Sequence, residues 1–146
     1  MPRIFTGPVE LSEVPTASHK PQFIGTTLRL EFQVTKIAAD PNQGTFPKFI
    51  VGTKRVQTYQ EWQQHAVWLN GHLIGTIDKY CSDSDRFEFA FQPRVLKEDL
   101  KPHVPHEMPL ALVNELVIQL GTGGFGLNDS FDIEYIDVEN FTTNLG

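Results

Sequence analysis

Several groups of residues in this chain have types and spacings that could do chemistry. Gly121-Thr122-Gly123-Gly124-Phe125-Gly126 spells GxGxxG after a strand-like run. A dinucleotide site needs a helix N-terminus directly after the glycines to hold the pyrophosphate. Leu127-Asn128-Asp129-Ser130 and an alternating strand follow instead, so the segment reads as an inter-strand loop, and no NAD, FAD or ATP site is expected. His103 and His106 would suit zinc only on a rigid element with a third ligand, and Pro102, Pro105 and Pro109 exclude a regular helix there. With His19, His65 and His72 they are read as surface histidines. Cys81, the sole cysteine, lies in no catalytic-cysteine signature and excludes an intramolecular disulfide. Asp83 and Asp85, in what reads as a polar turn from Tyr80, offer oxygen donors for Ca²⁺ without the EF-hand pattern, and the hydrated turn is preferred. No cofactor, metal or catalytic residue is expected.

The remaining chemistry is aromatic. Sugar rings present patches of C–H that pack on aromatic faces, while Asn, Asp, His and Arg side chains bond the hydroxyls. Tyr59, Trp62, Tyr80 and Phe125 lie outside the obvious core alternation and are the expected ligand-binding residues. Trp62 ranks first, because Tyr59, Glu61, Gln63 and Gln64 flank it. Trp68, inside a strand-like run, is read as core.

Strands must position these residues. Leu28, Leu30, Phe32 and Val34 alternate with Arg29, Glu31, Gln33 and Thr35, which predicts a strand with one buried face. Phe46 to Val51 predicts a second, ended by Gly52. Asn70-Gly71 between two β-rich runs predicts a tight hairpin, since that dipeptide favours positive φ at both turn positions. Phe87, Phe89 and Phe91 mark another strand, and so does Asn114 to Leu120. In the last strand, Phe131, Ile133, Tyr135 and Asp137 take one face, and Asp132, Glu134, Ile136 and Val138 the other. Residues 1–23, with Pro2, Pro8, Pro15 and Pro21, show no periodicity and read as an N-terminal arm that lies over the domain or pairs at a sheet edge. About seven strands without a long helical pattern predict an all-β antiparallel sandwich with at most short helical turns. Leu28, Leu30, Phe32, Val34, Phe89, Leu116, Ile118 and Ile133 are the expected core.

With 146 residues, one domain spanning 1–146 is expected, and its packing alone can sustain a core. Twelve Lys+Arg against 18 Asp+Glu leave a net charge of −6, which argues against a nucleic-acid partner. No apolar run is long enough to span a bilayer, so no membrane partner is expected. Taking Met1 as the start, the absence of a signal-like apolar stretch predicts a cytoplasmic chain. The two Asn-x-Ser/Thr matches at Asn128 and Asn140 then read as chance.

The order Val67-Trp68-Leu69-Asn70-Gly71, Ile74-Gly75-Thr76, a Phe-rich strand, Asn114-Glu115-Leu116-Val117-Ile118 and Asp129-Ser130-Phe131-Asp132-Ile133 resembles the jelly roll of galactose-binding-like domains of the carbohydrate-binding-module type. The resemblance covers roughly residues 65–141 and rests on short hairpin and strand patterns that are largely structural. It implies a jelly-roll sandwich and a glycan or polysaccharide as ligand. Such domains often hold one structural Ca²⁺ near the terminal strand; Asn128, Asp129, Asp132 and Glu134 offer donors, none matched individually to a family ligand. The expected function is a non-catalytic carbohydrate-binding domain. The alternative is a structural or assembly subunit, a homo-oligomer formed through sheet edges and the N-terminal arm; a small hydrolase or lyase ranks last for want of a catalytic motif.

Overall fold

The computed structural model describes residues 2–13, 22–56, 64–78, 82–97, 112–121 and 130–146. Among them the chain forms strands β1 (Arg3–Leu11), β2 (Gln22–Phe23), β3 (Thr27–Phe32), β4 (Val34–Ile37), β5 (Lys48–Val56), β6 (His65–Leu69), β7 (His72–Ile77), β8 (Ser82–Ala90), β9 (Asn114–Gln119), β10 (Phe131–Glu139) and β11 (Phe141–Thr143). Short 3-10 turns stand at Pro41–Gln43 and Pro93–Val95. No helix among the described residues is long and apolar enough to cross a membrane.

A five-stranded sheet has the order β2-β1-β10-β5-β8 and a four-stranded sheet the order β3-β9-β6-β7, while β4 and β11 form a separate pair. Apart from the short parallel contact of β2 with β1, all pairings are antiparallel. Leaving β2 aside, the two sheets read β1-β10-β5-β8 and β3-β9-β6-β7, the strand order of a jelly roll built from two Greek keys. The all-β sandwich expected from alternation is the fold observed.

Both inner faces feed one core. Of the expected core, Leu28, Phe32, Phe89, Leu116, Ile118 and Ile133 are buried, and Leu30 and Val34 pack against them partly exposed. Phe49 is fully buried, stacked on Phe91 at 5.3 Å and edge-on to Phe141 at 5.4 Å and Phe32 at 5.9 Å, which ties β3, β5 and β11 together. The strand expected to run on to Val34 breaks at Gln33, whose N–H donates to Asn144 Oδ1 at 2.7 Å; β4 then leaves β3's sheet to pair with β11.

Bulges and one glycine account for three further departures. Of the two placements expected for the N-terminal arm, pairing holds for Arg3–Leu11: β1 runs antiparallel along β10 and buries Ile4, Val9 and Leu11. Its register shifts twice, between Arg3 and Phe5 and between Thr6 and Val9, which erases the period-2 signal. β10 gains an extra residue against β5 between Ile133 and Tyr135. The bulge turns Ile136 and Val138 onto the buried face of Phe131 and Ile133, and sends Tyr135 and Asp137 outward, correcting the face assignment made from strict alternation. Gly52 lies inside β5 and does not end it: a Cβ there would run into the Tyr135 ring, so the glycine makes room for a cross-strand aromatic.

Candidate functional site

Register places many strand ends together. Val56 stands opposite Ser82, His65 opposite Ile77, Ala66 opposite Gln119, Thr27 opposite Gln119, Leu11 opposite Phe131, and Lys54 opposite Asp132. The end of β5 and start of β6, the end of β7 and start of β8, and the end of β9 and start of β10 therefore all lie at one end of the sandwich. These are the strand ends that bound residues 57–63, 79–81 and 122–129. Tyr59, Trp62, Tyr80 and Phe125, the sequence-predicted ligand residues, fall in those three segments and lie outside the described residues. So do His19, His103, His106, Cys81, Asn128, Asp129, Gly123, Gly124 and Gly126.

What is described at this end is a rigid base. His65 is fully buried, contrary to the surface placement expected, because in β6 it shares the inward face of Val67 and Leu69. Its ring stacks on Phe131 with centroids 4.0 Å apart, and its Nδ1 accepts a hydrogen bond from the Gly121 N–H at 2.9 Å. That bond makes Nε2 the protonated nitrogen, and Nε2 has no partner among the described residues. Burial pushes the imidazole pKa down to about 4, with Asp78 acting in the opposite direction, so His65 is neutral at pH 7. One neutral ring thus clamps β6 of one sheet to β10 of the other and fixes where β9 ends.

Beside it, Glu10 and Asp132 are cross-strand neighbours with side chains only 2% exposed, and both take the Arg55 guanidinium at 2.9 Å. Arg55 holds a left-handed backbone, φ 64°, and its pKa is raised, chiefly by the hydrogen bond to Asp132. Lys54 meets Glu134 at 3.6 Å. The acidic residues read as Ca²⁺ donors near the terminal strand are therefore salt-bridged where they are described. No group of three His, Cys, Asp or Glu among the described residues is placed to hold a metal ion. Ser82 to Asp85, read as a polar turn, are the first residues of β8.

The opposite end carries two motifs of the resemblance, Asn70-Gly71 and the start of the Asn114 strand, in structural roles. Asn70 and Gly71 adopt φ 51° and 82° in the predicted two-residue hairpin. Asn70 Nδ2 donates to Val95 O and Asn114 Oδ1 at 2.8 Å, and Asn114, fully buried, exchanges bonds with the Lys97 backbone at 2.7 and 2.8 Å. Asn140 Nδ2 donates to Phe46 O at 2.9 Å.

Besides Tyr135, a second aromatic departs from the sequence expectation. Trp68 is only partly buried, on the outward face of the four-stranded sheet, in a row with Arg29, Val117 and Leu73 across β3, β9, β6 and β7. The parity of Val67 and Leu69 carried that signal, because whichever face they bury, Trp68 takes the other.

No protein-family model matches the chain, and no curated protein matches its sequence.

Proposed function

We propose that this chain is a non-catalytic jelly-roll binding module that recognises a glycan or polysaccharide through the segments at the His65 end of the sandwich. One observation carries the proposal: the three segments bearing Tyr59, Trp62, Tyr80 and Phe125, separated by up to 66 residues in sequence (125 − 59), are all anchored at strand ends on that one end. Aromatic faces can stack on sugar C–H patches, and the strand ends that bound these segments carry Gln64 and Asp78, which bond each other at 2.6 Å. Arg55 with its buried partners Glu10 and Asp132, and His65, frame that end, which lowers the ordering cost of binding.

The test is a glycan array with wild type and Trp62→Ala, with thermal melting of both. A specific hit that Trp62→Ala loses at unchanged Tm supports the proposal. No hit, or a Trp62→Ala protein that binds like wild type, contradicts it.

A further inference from the structure

We propose that β7 is a self-pairing edge, through which two copies of this chain join their four-stranded sheets into one of eight strands. Three observations lead there.

The first is backbone supply. Among the described residues β7 is bonded on one side, to β6, and ends its sheet. The Asn70 N–H donates to Glu115 O, so Asn70 and, by alternation, Trp68 and Ala66 direct their backbone groups to β9, while Leu69, Val67 and His65 direct theirs to β7. Their partners are His72, Gly75 and Ile77. Leu73 and Thr76, opposite Trp68 and Ala66, therefore turn N–H and C=O away from β6, where an added strand can take them over from water.

The second is charge. Copies carrying −6 each repel one another, so a contact between them falls where neither presents carboxylates. β8 offers Asp85, Arg86 and Glu88 at the edge of its sheet, and β3 offers Arg29 and Glu31. β7 reads His-Leu-Ile-Gly-Thr-Ile, without a charged residue, and of its own residues only the bulge at Ile74 blunts the edge.

The third is Leu73 itself, 55% exposed, the most exposed large hydrophobic side chain among the described residues. It ends the outward apolar row of Val117 and Trp68 at the sheet edge. A two-fold axis perpendicular to the sheet, between Ile74 and Gly75, sets Leu73 of each copy opposite Thr76 of the other. Both residues face outward and both have backbone groups to exchange, so the row of one copy continues into that of the other. A foreign strand could bond the same backbone, but a second copy brings the matching row in the matching orientation.

No sugar enters the test, so it stands apart from the glycan proposal. Sedimentation velocity across micromolar concentrations should show wild type as a concentration-dependent dimer. Leu73→Lys should raise the dissociation constant by about tenfold or more, with an unchanged circular dichroism spectrum, and Arg29→Glu on β3's edge should leave the dimer intact. Thr76→Lys is the second variant should Leu73→Lys fail to fold, with the same loss expected. A wild type monomeric throughout, or a folded lysine variant that dimerises as wild type does, overturns the proposal.

Discussion

The two outward faces of this sandwich are built on opposite plans. On the five-stranded sheet almost every outward charge has a partner: Arg3 lies 4.2 Å over the Tyr135 ring and 2.8 Å from Asp137, Lys48 sits between Glu139 at 3.2 Å and Glu88 at 3.9 Å, and Arg55 joins Glu10 to Asp132. On the four-stranded sheet a single exposed pair among the described residues, Arg29 with Glu115 at 3.2 Å, borders a row of Val117, Trp68 and Leu73 that touches solvent. Alternation dictates an inward face for both sheets, and says nothing of what the outward faces are for. The first is closed on itself; the second has groups left to offer.

If that contrast is right, substitutions on the first face cost stability and those on the second do not. Arg55→Met should cost the most, about 3 kcal/mol in urea unfolding, because it leaves Glu10 and Asp132 buried without their shared cation; the third of Arg55 that remains exposed keeps the figure at the low end of such cases. Loss within about 0.5 kcal/mol would mean the cluster is a solvated surface pair.

His65, at the junction of the faces, gives the next effect. Its folded pKa of about 4 lies below the ordinary 6.5, so the unfolded chain binds the proton first as pH falls. Stability is intact above about pH 6.5 and declines through the window down to pH 4, by about 2 kcal/mol between pH 7 and 5. His65→Gln, whose amide oxygen can still accept from Gly121 N–H, should lack that decline; parallel pH profiles of the two proteins would remove the assignment.

Gly52→Ala should cost about 1.5 kcal/mol, since the new Cβ displaces Tyr135 and with it the ring under Arg3. Tyr135→Ala in the same background should recover part of that cost, and a Gly52→Ala protein as stable as wild type would show that the ring moves freely. Smallest of all, Leu73→Thr should change monomer stability by no more than about 0.5 kcal/mol, being an exposed position in a strand.

Much of the inner architecture was legible in the sequence, because burial and period 2 coincide in regular strands. Leu28 and Phe32, Leu116 and Ile118, and the Asn70-Gly71 turn each announce themselves locally. Where the backbone departs from regularity, the pattern misleads. The bulges of β1 hid a strand that buries Leu11, the bulge near Glu134 reversed half of β10, and Gly52 resembled a stop because its true reason, the Tyr135 ring, lies 83 residues away (135 − 52). His65 was sorted with the surface histidines because its residue type outweighed the parity it shares with Val67 and Leu69. The candidate site was legible only as aromatic residues outside the core alternation; that the strand ends bounding their segments meet at one end follows from strand order, which is non-local.

The measurement that bears most directly on the proposed function is a calorimetric titration of a glycan selected on the array against wild type, Trp62→Ala and Leu73→Thr. The account predicts that Trp62→Ala weakens binding by about tenfold or more at unchanged Tm, as expected of an aromatic anchor, while Leu73→Thr binds as wild type does. Equal affinity for wild type and Trp62→Ala, or a loss confined to Leu73→Thr, would contradict it.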